Sequence, residues 1–138
     1  MPYDSGDPEA EELISRVIDA AIEVHRHLGP GHLEQHYENA LCIEFELRGI
    51  PFRRQAQVDL QYKNRPIGTG KVDLLVGDRL IVELKAVETI GEIHFAQVIS
   101  YLNIKKLRLG LLLNFNVVAM NSRQAIRRVL NKYLRPAN

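Results

Sequence analysis

The chain has 138 residues, 46% of them hydrophobic and 25% charged, with a single cysteine. That length supports one domain with its own core; a lone Cys42 excludes an internal disulfide framework and four-cysteine zinc sites, and no apolar run approaches the roughly 20 residues of a membrane helix. The net charge of +1 hides an asymmetry: residues 93–138 carry eight basic side chains and no acidic one, so the carboxyl-terminal third is a candidate polyanion-binding surface.

Residues 1–12, rich in Asp, Glu, Pro and Gly, read as a flexible end ahead of a single domain over 13–135. They lack the apolar stretch of a secretory signal, which points to a cytoplasmic address. Leu13, Ile14, Val17, Ile18, Ala21, Val24 and Leu28 recur at helical spacing, and Gly29-Pro30-Gly31 stops the helix. A second helix carries Leu33, Tyr37, Ala40, Leu41 and Phe45 and ends at Gly49 and Pro51. Val58, Leu60 and Tyr62 alternate with polar residues as a strand, and two more strands, Ile67 to Val76 and Leu80 to Val87, form a hairpin across Gly77-Asp78-Arg79. Residues 92–106 return to helical spacing. Leu109 to Phe115 is a near-continuous apolar run, the pattern of a central strand. Ser122 is placed to cap a last helix with Ala125, Ile126, Val129, Leu130 and Tyr133 on its apolar stripe. The order implies an α/β domain: a three-strand meander plus one crossover strand in a mixed sheet flanked by helices.

Chemistry concentrates in the hairpin. With a three-residue loop Val76 pairs with Leu80, and counting back sets Asp73 opposite Glu83 on a shared face, their Cβ atoms about 5 Å apart. Two such carboxylates can hold magnesium or manganese through oxygen ligands. Lys85, two residues beyond Glu83, adds a compact positive charge suited to orienting water or meeting charge on a phosphoryl group. Phosphodiester hydrolysis needs this combination. The plainer alternative is an ion pair of Glu83 with Lys85 or Lys71 on a solvated sheet face.

The segments Gly31-His32-Leu33-Glu34-Gln35-His36-Tyr37, Val72-Asp73-Leu74-Leu75, Ile81-Val82-Glu83-Leu84-Lys85-Ala86 and Leu112-Leu113-Asn114-Phe115 together resemble the GxxExxY family of the PD-(D/E)XK nuclease superfamily. The resemblance covers roughly Leu13 to Leu130 and implies a core of helix, three-strand meander, helix and strand. By motif match it implies that Asp73 binds metal, that Glu83 is the second carboxylate and that Lys85 is the catalytic lysine. Val72 stands where the superfamily motif has proline, as in many members. Glu34 matches the motif glutamate on the helix before the sheet, an additional acid near the metal. Gln97, with Tyr101 four residues on, matches a helix position from which superfamily members often reach the site.

Tyr37, one turn beyond Glu34, suits either a phosphate contact or core packing. His25, His27, His32 and His36 crowd one region, and His32 with His36 has zinc-ligand spacing, but no further ligand frame accompanies them. Cys42 between Leu41 and Ile43 reads as a small buried hydrophobe. The expectation is a magnesium- or manganese-dependent nuclease in which Asp73, Glu83 and Glu34 hold the metal. Lys85 and Gln97 assist, and Tyr37, Tyr101, Lys105, Lys106, Arg123, Arg127 and Arg128 contact nucleic acid. A homodimer is the expected assembly. The rival is a catalytically silent nucleic-acid-binding or assembly module on the same fold.

Overall fold

The computed structural model describes residues 5–132. Helix α1 spans Pro8–Leu28: the Asp7 side chain caps it by accepting from the Ala10 amide at 3.1 Å, proline occupies its first turn, and Gly29 ends it at φ 67°. The amino-terminal stretch expected to be flexible is therefore helical from Pro8, with Ala10 fully buried; residues 1–4 lie outside the described residues. Helix α2 spans Glu34–Arg48 and closes on Gly49 in the left-handed region, φ 68°.

Strands β1 (Phe52–Tyr62), β2 (Arg65–Val76) and β3 (Leu80–Lys85) form an antiparallel meander. Helix α3 (Glu92–Lys105) crosses over so that β4 (Leu109–Asn114) lies parallel to β3. The segment expected to form a last helix is instead strand β5, Ile126–Leu130, antiparallel to β4 with Leu109 opposite Leu130; Tyr133 lies outside the described residues. The free edge of β4 decides this. Its backbone groups are buried and need partners, and a strand supplies them where a helix cannot. The mixed α/β sheet runs β1-β2-β3-β4-β5, and β4 is fully buried between its neighbours as its apolar run implied.

Two cores flank the sheet. On one face Ile14, Val17, Val24, Tyr37, Leu41 and Phe45 of α1 and α2 pack on Leu74, Val76, Val82, Leu84 and Leu111. On the other, Val98 and Leu102 of α3 pack on Ala56, Val58, Val72, Leu75, Ile81 and Leu112. No helix among the described residues is long and apolar enough to cross a membrane.

A candidate active site at the fork between two strands

Regular pairing of β2 with β3 runs from Val76 opposite Leu80 to Leu74 opposite Val82 and then stops. The register is the one the three-residue loop requires, so the next residues along are Asp73 and Glu83. Here side chains take over from the ladder: the Asp73 amide donates to Glu83 Oε1 at 3.0 Å, and the Leu84 amide donates to Asp73 Oδ2 at 2.8 Å. The strands part at this point and the two carboxylates fill the fork.

The two acids reach the fork from different sides. Val72 belongs to the core under α3 and Leu74 to the core under α1 and α2, although two residues apart on a strand should share a face. The alternation breaks at Asp73. Across the pair, β1 breaks at the same level: Ala56 packs under α3 while Arg54 reaches Glu38 on α2, and Gln55 between them has φ 49°. Gln55 Nε2 lies 3.4 Å from Asp73 Oδ1. Asp73 thereby lines a cavity of about 380 Å³ with Glu34, Gln35, Glu38, Arg54, Gln55 and Leu84. Glu83, between Val82 and Leu84 of the first core, keeps the alternate face with Lys85, so the expected sharing of one face holds for Glu83 and Lys85 but not for Asp73.

Glu83 is 5% exposed. Burial, reinforced by the neighbouring Asp73 charge, pushes its carboxyl up to about 8, against a smaller opposing pull from Lys85. Lys85 sits at the end of β3, half-buried and paired with Asn114 of β4. Its carbonyl accepts from the Phe115 amide at 2.9 Å. Asn114 accepts from the Val87 amide at 3.1 Å and donates to the Val87 carbonyl at 2.9 Å, fixing the chain just past Lys85.

Glu34 lines the same cavity as Asp73. Glu38, one turn further, was missed by sequence reading although its spacing from Glu34 puts both on one helix face. It is 9% exposed and accepts from Arg54 at 2.8 Å and from Gln55 at 2.8 Å, so it anchors β1 to α2. Among the described residues no three His, Cys, Asp or Glu side chains gather into a metal-binding group. Asp73 and Glu83 nevertheless suit a hard divalent ion that keeps most of its water and takes one or two carboxylates. Their mutual repulsion and the raised proton affinity of Glu83 are what a cation between them would relieve.

The other expected site residues do not line that cavity. Tyr37 is fully buried and stacks on Phe115 at 4.5 Å between ring centroids. Its hydroxyl donates to the Gly29 carbonyl at 2.6 Å and accepts from the His32 amide at 3.1 Å, so it pins the α1–α2 corner and is closed to a phosphate. Tyr101 lies against Gly70 of β2, where a Cβ would fall 2.5 Å from its hydroxyl; it packs α3 on the sheet. Gln97 is exposed on α3 and does not line the Asp73 cavity. His32 Nε2 contacts the Leu28 carbonyl and His36 Nδ1 accepts from the Leu33 amide, which are turn and cap roles, while His25 is buried with Nε2 2.8 Å from the Val117 carbonyl. Cys42 is buried, and burial pushes its thiol up to about 11.

The basic third is not one surface. Arg128 is bound by Glu11 of α1, Arg127 lies over the Phe95 ring on the α3 side, and Arg123 lines a separate small cavity with Glu88 and Arg127. Lys105 and Lys106 stand at the carboxyl end of α3, the end away from Lys85, because α3 runs back along β3 and β4. A family model for the PD-(D/E)XK nuclease superfamily matches residues 11–129. No curated protein and no solved structure matches the chain.

Proposed function

This chain belongs to the PD-(D/E)XK nuclease superfamily, and on that premise we propose that it is a divalent-metal-dependent nuclease hydrolysing phosphodiester bonds of nucleic acid. The observation that carries the reading is the fork, where a buried Glu83 and a half-buried Asp73 stand at one level, each accepting from an amide of the other's strand, with Lys85 two residues along from Glu83. Asp73 and Glu83 would hold magnesium or manganese. When bound, the ion supplies Lewis acidity toward the phosphoryl group. Lys85, on the same strand face as Glu83, would contribute a positive charge to orient the attacking water and to meet negative charge growing on the phosphate. Glu34 and Glu38 on the cavity wall keep that side acidic, with Arg54 holding Glu38 in place. Of the segments that carry the narrower likeness to GxxExxY proteins, the first holds Gly31, Glu34 and Tyr37; Glu34 reaches the cavity and Tyr37 builds the corner that carries it.

The silent-module reading draws support from a specific observation: one oxygen of each carboxylate is already engaged by a backbone amide, and no third acid joins them among the described residues. Cleavage assays separate the two. Incubated with labelled single- and double-stranded oligonucleotides and magnesium or manganese, the native protein is expected to cut. Asp73→Ala is expected to fall to background and Lys85→Ala by about 10²–10³-fold, with unchanged circular dichroism. A purified, folded native protein that cuts none of these with either ion would sink the nuclease reading.

A further inference from the structure

Strand β2 has two halves. From Leu74 to Val76 it is paired on both edges; from Arg65 to Val72 it is paired only with β1. The β1–β2 hairpin therefore leaves the sheet at the fork as a two-stranded arm. One face of its base is covered, with Ala56, Val58 and Val72 under α3 and Tyr101 on Gly70. Every residue from Gln61 to Thr69 is exposed. Asp73 stands where the arm meets the body, and the eight steps from Asp73 back to Arg65 reach about 25 Å.

The outer part of the arm carries positive charge. Short of Asp73 the arm carries one acid, Asp59 opposite Thr69, which accepts from Gln57 Nε2 at 2.8 Å; beyond it, from Leu60 to Val72, there is none, and Lys63, Arg65 and Lys71 are all exposed. Several arginines of the body are held by carboxylates, Arg53 by Asp78, Arg54 by Glu38, Arg79 by Asp7 and Glu9, and Arg128 by Glu11, while Arg127 lies over the Phe95 ring. Among the described residues no carboxylate pairs with Lys63, Arg65 or Lys71; Lys63 instead lies 5.4 Å from the centre of the Tyr62 ring. Tyr62 is itself 62% exposed near the tip. Alternation puts Lys71 on the face opposite Val72, the side on which the Asp73 cavity opens, about 7 Å along the strand from Asp73.

We propose that the β1–β2 arm is the nucleic-acid grip of this protein, with Lys63, Arg65 and Lys71 on backbone phosphates and Tyr62 as a base-stacking platform. The inference rests on the nuclease reading for the direction in which the strand runs, since a phosphate lodged at Asp73 and Glu83 continues along the arm. It relocates binding from the carboxyl-terminal third to the hairpin. At about 3.4 Å per phosphate along one strand of a duplex, the arm spans roughly seven nucleotides. A second copy of this chain is the less suitable occupant, because two arms with the same unpaired charges repel.

The test is fluorescence anisotropy of a labelled 30-nucleotide strand and its duplex, in EDTA so that cutting cannot intervene. The triple variant Lys63→Gln, Arg65→Gln, Lys71→Gln is expected to raise Kd at least tenfold and to lower the log–log salt slope by about 2–3. The charge-keeping variant Lys63→Arg, Arg65→Lys, Lys71→Arg should bind like the native protein. Tyr62→Ala is expected to weaken the single strand about fivefold or more while sparing the duplex. A native protein whose binding depends on the arm but which shows no metal-dependent cutting keeps the arm and removes the nuclease, which separates the two readings. Native affinity and slope in the triple-Gln variant would overturn the proposal, as would a native protein that binds neither probe. So would a native dimer that the same variant splits with binding unchanged.

Discussion

At the α1–α2 corner and at the β2–β3 fork the chain buries polar groups on opposite terms. At the corner Tyr37 is fully enclosed, yet its hydroxyl both donates and accepts, and His25 nearby meets the Val117 carbonyl. At the fork Glu83 is nearly as enclosed, but its closest charged neighbour is another carboxylate. Buried polar groups that find neutral partners hold a structure together. A carboxylate buried against its own kind costs stability, and such a cost is tolerated where a function uses it.

The contrast predicts substitutions of opposite sign. Glu83→Gln should stabilise the metal-free protein at pH 8, by about 4 °C or more in Tm, the shift that about 1 kcal/mol makes in a domain of this size. Because burial and Asp73 raise the Glu83 carboxyl from 4.5 to about 8, its proton binds better in the folded chain. The associated stability is complete below about 4.5 and is lost as pH climbs to about 8. Thermal melts from pH 5 to pH 8 should show the gap between variant and native protein widening with pH, and magnesium should raise the native Tm at pH 8 while leaving the variant still. A gap that does not change with pH would put Glu83 on the same footing as Tyr37.

Tyr37→Phe should act the other way, removing about 1–2 kcal/mol by leaving the Gly29 carbonyl and His32 amide without their partner. Denaturant melts would read this as a lower midpoint at unchanged slope. The smallest effect belongs to the Glu11–Arg128 pair. Hydrogen bonding to Arg128 holds Glu11 down to about 2, so its contribution is present above about 4.5 and fades as pH falls toward 2. Both side chains are partly exposed, and solvent screening limits Glu11→Gln to under about 1 kcal/mol at pH 7, vanishing near pH 2.

Much of this arrangement is legible in the order of residues alone. Apolar spacing and the stops at Gly29 and Gly49 place α1 and α2, and the loop Gly77-Asp78-Arg79 sets the register that brings Asp73 level with Glu83. The failures share one cause. Ile126, Val129 and Leu130 fit a helical stripe with Ala125 as well as they fit β5, where Ile126 packs on one core and Val129 on the other. Arg128 reads as a phosphate contact until a carboxylate from residue 11 is found beside it.

Local periodicity and turn chemistry, which act over a few residues, determined the helices, the hairpin and the presence of an acid pair beside a lysine. Partners far apart along the chain decided the rest. The open edge of β4 turned the last segment into a strand, and the paired break at Gln55 and Asp73 swung one acid toward α2. Distant carboxylates claimed Arg54 and Arg128 and, among the described residues, left Lys63, Arg65 and Lys71 without one. Backbone hydrogen bonds and charges must be satisfied wherever folding buries them, and which groups meet is a property of the assembled sheet.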